Sequence, residues 1–241
     1  MSIDSFFKPK KNYILTRVGR NNDGGYLVSK YSLKKSDYLV SFGINDDWSF
    51  EREALKINKN IKVLCFDNKI SLIFLCKRVI IEFVKFFYPS KRGDLLRGLK
   101  NIIEYIFSKI KFKKKFIQKN DTLFISKNLN NIFFKVDIER NEYEILNDLI
   151  KIKKKITGII IEFHDFDRNI LKIKNFIKKT KFKITHIHPN NFGGINTFGD
   201  PKIIEITLEK NSYFNGMSKR LPHKLDQPNN QYKKDIKIIF K

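Results

Sequence analysis

Large apolar residues occur along this chain in two alternating patterns. Nearly continuous apolar runs, which are typical of strands buried on both faces, occupy residues 38–42, 61–66, 132–138 and 157–163. Apolar residues at helical spacing occupy residues 49–57, 142–151 and 167–179. The alternation predicts an α/β fold in which helices cover both faces of a mostly parallel sheet.

Three further strands have weaker patterns. They are predicted at residues 122–126, 182–188 and 202–209, and a loop rich in Asn and Gly joins the last two. Upstream, Asp23, Gly24 and Gly25 form a turn sequence inside residues 17–28. Because glycine tolerates the positive φ of tight turns, this segment predicts a β-hairpin.

Residues 71–120 interrupt the alternation. Apolar residues recur there at helical spacing in two stretches, which Pro89 and Gly93 separate. The pattern predicts an amphipathic helix pair inserted between the second and third strands. Two interpretations stay open: a cap packed on the core, or a basic pair that rests on an anionic membrane surface or covers a substrate.

Charge favours an anionic partner without identifying it. The chain has 49 Lys and Arg residues against 25 acids, a net charge of +24. Residues 71–120 hold thirteen of these basic residues against three acids. Nucleic acid, an acidic lipid surface and an acidic glycan all suit such a surface. Because Lys, Asn and Ile are abundant everywhere, a general compositional bias explains the charge equally well.

Cysteine content and the absence of a targeting pattern favour a reducing compartment. Cys65 and Cys76 do not make a disulfide framework, and no signal segment or membrane-spanning stretch is recognisable. We therefore expect one domain over residues 1–241, located in the cytoplasm or peripheral to the inner face of a membrane.

Polar side chains follow several predicted strands directly. Asp67 ends the second strand, Asp137 and Glu139 follow the fourth, and Glu162 and His164 end the fifth. Because the carboxyl ends of parallel strands meet at one edge of the sheet, we expect these side chains to lie together. Carboxylates are costly to desolvate, so the pattern predicts a ligand site at this edge.

The turn after the first strand indicates the kind of ligand. It contains Gly43, Asn45, Asp46 and Asp47, and it lacks the G-x-G-x-x-G fingerprint of dinucleotide sites. Carboxylates there repel phosphate groups and suit a cationic ligand such as S-adenosylmethionine. Asp67, about twenty residues further on, suits a bidentate bond to ribose hydroxyls. Together the two segments predict an adenosine ligand without a pyrophosphate.

Several segments resemble, in the same order, those of the FkbM-type S-adenosylmethionine-dependent methyltransferases, in particular the subgroup that opens with Arg-x-Gly-x-x-x-Asp-Gly-Gly-Tyr. The matching pieces are residues 17–28, 41–51, 65–67, 135–146, 160–164, 186–191, 204–207 and 221–229. The resemblance implies a class I methyltransferase fold. This is a Rossmann-like sandwich whose seven-stranded sheet is mostly parallel and contains one antiparallel strand.

The resemblance also implies roles for individual residues. The cofactor is expected to contact Asp23, Gly24, Gly43, Asn45, Asp46 and Asp67, with Asp67 at the ribose. Asp137, a predicted catalytic residue, and Glu139 are expected beside the methyl-transfer site. The acceptor is expected to contact Glu139, Arg140, Glu162 and Asn190. The family usually has glycine at the position of Arg140, whose side chain would narrow the site, attract an anionic substrate or abolish activity.

Methyl transfer to a hydroxyl needs a base, and histidine suits that task near neutral pH. His164 is the first candidate and His188 the second, although a hydrogen-bonded structural role is an open interpretation for both. Asp137, Glu162 and a histidine are also possible ligands of a divalent metal. No tight ligand spacing supports a metal, so we predict a site without one.

The function predicted first is O-methylation of a glycan, glycolipid or small hydroxyl-bearing metabolite. A nucleic-acid-binding protein or nucleic-acid methyltransferase is an alternative, but the basic run at residues 109–119 interleaves only Phe112 and Phe116 and contains no reader motif. Arg140 favours a second alternative, an inactive adaptor with the same fold. A nicotinamide dehydrogenase is disfavoured because the glycine fingerprint is missing.

Overall fold

The computed structural model describes residues 2–86, 95–217 and 221–241. In these ranges the strands are β1 (Ser2–Ile3), β2 (Lys11–Tyr13), β3 (Thr16–Val18), β4 (Tyr26–Val28), β5 (Tyr38–Phe42), β6 (Lys62–Asp67), β7 (Lys111–Lys114), β8 (Ile132–Val136), β9 (Ile156–Phe163), β10 (Lys183–Pro189), β11 (Ile204–Glu209), β12 (Phe214–Met217) and β13 (Ile239–Phe240). The helices are α1 (Lys30–Lys34), α2 (Ser49–Ile57), α3 (Leu72–Phe86), α4 (Leu95–Phe107), α5 (Asp121–Ile125), α6 (Glu142–Lys151) and α7 (Phe166–Thr180).

A seven-stranded sheet organises the fold, in the order β10-β11-β9-β8-β5-β6-β7. Strand β11 is antiparallel to both of its neighbours, and the other pairings are parallel. The predicted α/β class I methyltransferase fold, mostly parallel with one antiparallel strand, is confirmed. The chain runs outward in opposite directions from β5 and β8, so the switch point, where open α/β sheets bind ligands, lies between these two strands.

Apolar residues cover both faces of the sheet, as the continuous apolar strands predicted. Phe133 and Phe134 are adjacent in β8 and point to opposite faces, and each belongs to a different core cluster. One cluster includes Ile145 of α6 and Phe176 of α7, whereas the other includes Phe50 of α2. The central strands therefore lie between two helical layers.

The third strand of the sheet is not where the sequence predicted it. Residues 122–126 fall mainly in helix α5, where the hydroxyl of Ser126 donates to the Thr122 carbonyl at 2.6 Å. The edge strand is β7, inside the predicted insertion. Its single apolar residue, Phe112, packs against Trp48 and Tyr105, with ring centroids 4.9 and 5.1 Å away. An edge strand needs few apolar residues. Because β7 consists mostly of lysine, its sequence indicated a basic run and not a strand.

The predicted helix pair between the second and third strands is confirmed as α3 and α4. The predicted break at Pro89 and Gly93 lies outside the described residues. The predicted upstream hairpin is also confirmed, because β3 pairs antiparallel with β4. Among the helices described here, none combines the length and hydrophobicity needed to cross a bilayer.

Candidate active site at the carboxyl ends of the central strands

A cavity of about 600 Å³ opens where strands β5, β6, β8 and β9 end. Eleven of the thirteen predicted site residues line it, and two, His188 and Arg140, do not. The eleven are Asp23, Gly24, Gly43, Asn45, Asp46, Asp67, Asp137, Glu139, Glu162, His164 and Asn190. The expectation that the strand-end acids meet at one place agrees with this geometry.

Gly43 follows β5 and has a positive φ of 73°. A Cβ atom at this position would lie 1.6 Å from the backbone oxygen of Asp137. Any other residue would therefore collide with the neighbouring loop. The glycine is required by close packing between the loops after β5 and β8, rather than by a ligand alone.

Asp67 is buried at the end of β6, and backbone groups hold both of its carboxylate oxygens. Asn45 N–H donates to Oδ2 at 2.9 Å, and Lys69 N–H donates to Oδ1 at 2.7 Å. Each carboxylate oxygen can accept a further hydrogen bond. The side chain is thus fixed in one orientation at the cavity wall, with capacity left for two ligand hydroxyls.

The two acids of the loop after β5 do not present free charge to the cavity. Asp46 lies 2.8 Å from the guanidinium of Arg78, and Asp47 lies 3.0 Å from that of Arg20. This corrects the sequence argument, which attributed cation selectivity to these carboxylates. Arginines distant in sequence offset their charge, and sequence spacing does not show such pairs.

Asp23 and Gly24 form the turn between β3 and β4 and close one side of the cavity. Gly24 has a φ of 83°, and a Cβ there would lie 2.4 Å from an Asp47 carboxylate oxygen. Burial raises the pKa of Asp23, although Arg20, 3.6 Å away, opposes that effect. The hairpin therefore packs its turn directly onto the loop that follows β5.

Asp137 and Glu162 are the poorly compensated charges of the cavity. Burial raises the pKa of Asp137 to about 7, against the opposing charge of Lys135. Burial, followed by the charges of Asp137 and Glu205, raises the pKa of Glu162 well above its ordinary value. The amide of Asn190 donates to Glu162 at 3.0 Å and fixes its position. A cationic ligand would relieve the cost of ionising both acids.

A buried carboxylate holds one ring nitrogen of His164, and this carboxylate does not itself line the cavity. Its Nδ1 lies 2.8 Å from Oε1 of Glu142, the first residue of α6, which is fully buried. Burial lowers the pKa of His164, but the hydrogen bond and charge of Glu142, with the charges of Asp137 and Glu139, outweigh that effect and raise it. With Nδ1–H donated to Glu142, Nε2 is left as the proton acceptor, 3.7 Å from Glu162.

Three side chains of the cavity, those of Asp137, Glu162 and His164, also offer ligand atoms that suit a divalent cation. One ligand atom from each of Asp137, Glu162 and His164 lies within 4.8 Å of the other two. Glu142 behind the imidazole resembles the outer carboxylate that commonly orients a metal-binding histidine. His164 Nε2 cannot bind a metal and accept a proton at once, so the two roles are mutually exclusive.

His188 does not line the cavity, which corrects its prediction as an alternative base. Its ring nitrogens lie 3.3 Å from Asp235 and 3.8 Å from Glu205. Burial opposes the charged ring, but these carboxylates raise the pKa of His188 to about 10. Its neighbour on the same strand face, His186, lies 2.8 Å from Asp226. Both histidines thus bind the C-terminal segment onto β10.

Arg140 also points away from the cavity. Its φ is 81°, and its Nε lies 2.7 Å from Asp165. The side chain is 73% exposed, so it neither narrows the site nor faces a substrate there. The left-handed backbone explains why glycine suits this position, and the same backbone turns the arginine outward.

Comparison with known proteins finds similar solved structures. The precorrin-6Y C5,15-methyltransferase of Geobacter metallireducens GS-15 is 13% identical, over 75% of this chain and 86% of that one, with a TM-score of 0.40. TYW2 of M. jannaschii, solved in complex with AdoMet, is 12% identical over 75% and 74%, with a TM-score of 0.37. An O-methyltransferase family protein of Burkholderia thailandensis is 6% identical over 75% and 53%, with a TM-score of 0.39.

No protein-family model and no curated protein matches the chain. The resemblance to FkbM-type methyltransferases therefore stays a prediction.

Two buried residues that shape the site were not singled out from the sequence. Lys135 lies within β8, 4% exposed, with Nζ 3.5 Å from the fully buried Glu51. A lysine inside an otherwise apolar strand was the available signal. Glu142 gave no such signal, because an acid in the first turn of a helix is ordinary there.

Proposed function

We propose that this protein is an S-adenosylmethionine-dependent methyltransferase that transfers a methyl group to a hydroxyl. One observation carries the proposal. One cavity at the switch point brings together a fixed strand-end aspartate, Asp67, with the half-buried Asp137 after β8 and the buried Glu162 at the end of β9. This arrangement suits a nucleoside that carries a positive charge.

The cofactor is proposed to lie across the ends of β5 and β6. Asp67 would accept hydrogen bonds from the two ribose hydroxyls, because both of its oxygens are held by backbone N–H groups and retain lone pairs. Asp137 and Glu162 supply negative charge for the sulfonium and ammonium groups. Burial raises the pKa of both acids because it disfavours their ionised forms, and a bound cation would favour those forms.

The reaction is proposed to be a direct displacement. The acceptor oxygen attacks the sulfonium methyl, the carbon–sulfur bond breaks, and S-adenosylhomocysteine leaves with the electron pair. His164 Nε2 takes the hydroxyl proton. Glu142 holds the opposite ring nitrogen at 2.8 Å and stabilises the resulting imidazolium. Alignment of the two substrates supplies most of the rate, as in other reactions of this kind.

The acceptor class is proposed from the resemblance to the FkbM-type family. It is a glycan, a glycolipid or a small hydroxyl-bearing metabolite. Glu139 and Asn190 lie in the same cavity as His164 and offer a carboxylate and an amide to the hydroxyls of such an acceptor. Arg140 is excluded from this role by its orientation toward Asp165.

Calorimetric titration with S-adenosylhomocysteine tests the cofactor proposal. We expect binding by the wild-type protein and a loss of affinity of about 10- to 100-fold in Asp67→Asn, because charged hydrogen bonds to the ribose are weakened. Glu144→Gln, an exposed acid on α6, is the matched control and should bind normally. A folded wild-type protein that binds neither S-adenosylmethionine nor its product would favour the adaptor alternative and overturn the proposal.

Chelation separates the base role of His164 from a metal role. We expect turnover to survive extensive treatment with EDTA and to fall in His164→Ala without a large change in cofactor affinity. Loss of turnover on chelation, restored by Mg²⁺ or Mn²⁺, would assign His164 Nε2 to a metal and remove it as the base.

A further inference from the structure

We propose that helices α3 and α4 form a docking surface for an anionic lipid bilayer. We define their outer apolar face as the exposed large apolar side chains of the pair. These are Leu72, Ile73, Ile80, Ile81, Phe83, Val84, Leu96, Leu99, Ile103, Ile106 and Phe107. The two helices thus contribute eleven of the 23 exposed large apolar side chains found in the described residues. Such a concentration marks an interaction surface rather than ordinary scatter.

Both polar and apolar groups attach the pair to the body of the protein. Leu75 of α3 is buried in the core, and Ile102 of α4 packs against the same cluster. Arg78 of α3 binds Asp46 at 2.8 Å, and the amide of Asn101 in α4 donates to the Asp46 carbonyl at 2.7 Å. Asn101 and Glu82 are buried, at 2% and 5% exposure. The inward side of the pair is therefore occupied by polar as well as apolar residues, while the outer apolar face lies in water, where a surface helix usually carries polar residues.

Basic residues on α3 and in the segment that follows α4 favour an anionic partner. Exposed lysines lie on α3 at Lys77 and just beyond α4 at residues 109, 111, 113 and 114. The described part of residues 72–119 contains eleven Lys and Arg residues and two acids. Apolar side chains flanked by lysines match the acyl and headgroup layers of a bilayer with anionic lipids.

The length of the helices indicates that they lie on the membrane and do not cross it. Helix α3 has 15 residues and α4 has 13, whereas a spanning helix needs about 20 apolar residues. Both helices also carry charged residues at several positions. We infer that the pair rests in the interfacial plane with its apolar side chains inserted.

Docking would place the cavity beside the lipid surface. Asp46 lines both the main cavity and a small one enclosed by α3 and α4. Phe116, which is 52% exposed and follows the basic strand β7, lines the main cavity as well. The surface proposal does not depend on the proposed methyltransferase activity, because binding to lipid can be measured without substrate or cofactor.

Vesicle flotation with the full-length protein tests the proposal. One set of vesicles contains phosphatidylcholine alone, and the other contains an added third of phosphatidylglycerol. We expect the protein to float with the anionic vesicles and to bind neutral vesicles at least about tenfold more weakly, because each basic residue near the surface adds roughly fivefold in affinity.

Two variants address the two halves of the surface. One variant combines Ile80→Ser, Ile103→Ser and Phe107→Ser and so removes apolar side chains. Its control replaces Phe124, Leu171 and Phe198, which are at least as exposed elsewhere on the protein, by serine. Lysines 109, 111, 113 and 114 changed to glutamate reverse the charge. Their control is the same change at the exposed lysines 34, 151, 179 and 183. We expect each test variant to lose about tenfold or more in vesicle binding and each control to retain it.

Three results would overturn the proposal. The first is that the wild-type protein does not float with the anionic vesicles. The second is equal binding by test variants and controls, which would assign binding to net charge. The third is a dimer in light scattering that only the apolar test variant converts to monomer, because a second copy would then cover the face. Thermal unfolding of each variant verifies that it is folded.

Discussion

Helices α6 and α7 bury their apolar sides on the sheet, whereas α3 and α4 pack only a few apolar side chains, such as Leu75, on the core and expose eleven others. Helices α6 and α7, the inner pair, contribute Ile145, Leu149 and Phe176 to the core, each at most 1% exposed. Helix α4 buries just one of its described side chains, the polar Asn101. Both pairs have amphipathic sequences. The contrast shows that helical periodicity locates an apolar stripe, but does not say what the stripe faces.

The two pairs also serve the cavity in different ways. Helix α6 provides Glu142, which is buried and holds the ring of His164. Helix α3 provides Arg78, which neutralises Asp46 on the loop after β5. The inner pair therefore positions the proposed base, His164. The outer pair, α3 and α4, stabilises a loop that lines the proposed cofactor region.

The largest expected difference concerns apolar truncation. Phe176→Ala in α7 should lower the free energy of unfolding by about 3–5 kcal/mol, because it leaves a cavity in a packed core. Phe107→Ala in α4 should change it by less than about 0.5 kcal/mol, since that ring is 80% exposed. Urea denaturation of both variants measures the difference. Equal losses would mean that α4 packs on something in solution.

A smaller loss is expected from the polar attachment of the outer pair. Arg78→Met should cost about 1–3 kcal/mol in unfolding free energy, because the partly buried Asp46 then keeps, among the described cations, only the more distant Arg97, 3.9 Å away. It should also weaken binding of S-adenosylhomocysteine, since Asp46 lines the cavity. Lys77→Met, at an exposed neighbouring position, is the control. Unchanged stability in Arg78→Met would show that the ion pair does not hold the helices in place.

The smallest expected effect is a shift in the pH dependence of turnover. His164 must be neutral to accept a proton, so activity should rise as the pH passes upward through its pKa. Because Glu142 raises the pKa of His164, the acidic limb of the profile should lie above pH 6.5. Glu142→Gln should move this limb to lower pH, because the hydrogen bond and charge that raise the pKa of His164 are weakened, and should lower maximal turnover. An unmoved limb would mean that another group is titrating.

Patterns of apolar residues predicted strands and helices correctly where the pattern within one element determines its structure. The continuous runs at Tyr38–Phe42 and Ile132–Val136 are strands, and the periodic segments at Ser49–Ile57 and Glu142–Lys151 are helices. They fail at β7, where one phenylalanine among lysines suffices because the strand lies at an edge. Residues 122–126 were mistaken for that strand because a short apolar run does not distinguish helix from strand.

The strand-end acids could be placed together from the sequence because parallel strands end at one edge of their sheet. Asp67, Asp137, Glu162 and His164 follow from that rule. The orientation of a side chain beyond the strand end does not follow. His188 turns to the C-terminal segment, and Arg140 turns to Asp165, because backbone conformation and distant partners determine each orientation.

The sequence by itself determined the alternation of strands and helices, the parallel sheet and the group of acids at its edge, because each depends on local periodicity and on the geometry of parallel strands. Only the tertiary structure decided which charges are neutralised, which histidine enters the cavity and which way the apolar side of α3 and α4 points. Those outcomes depend on contacts between residues far apart in the chain, such as Arg78 with Asp46 and Glu142 with His164.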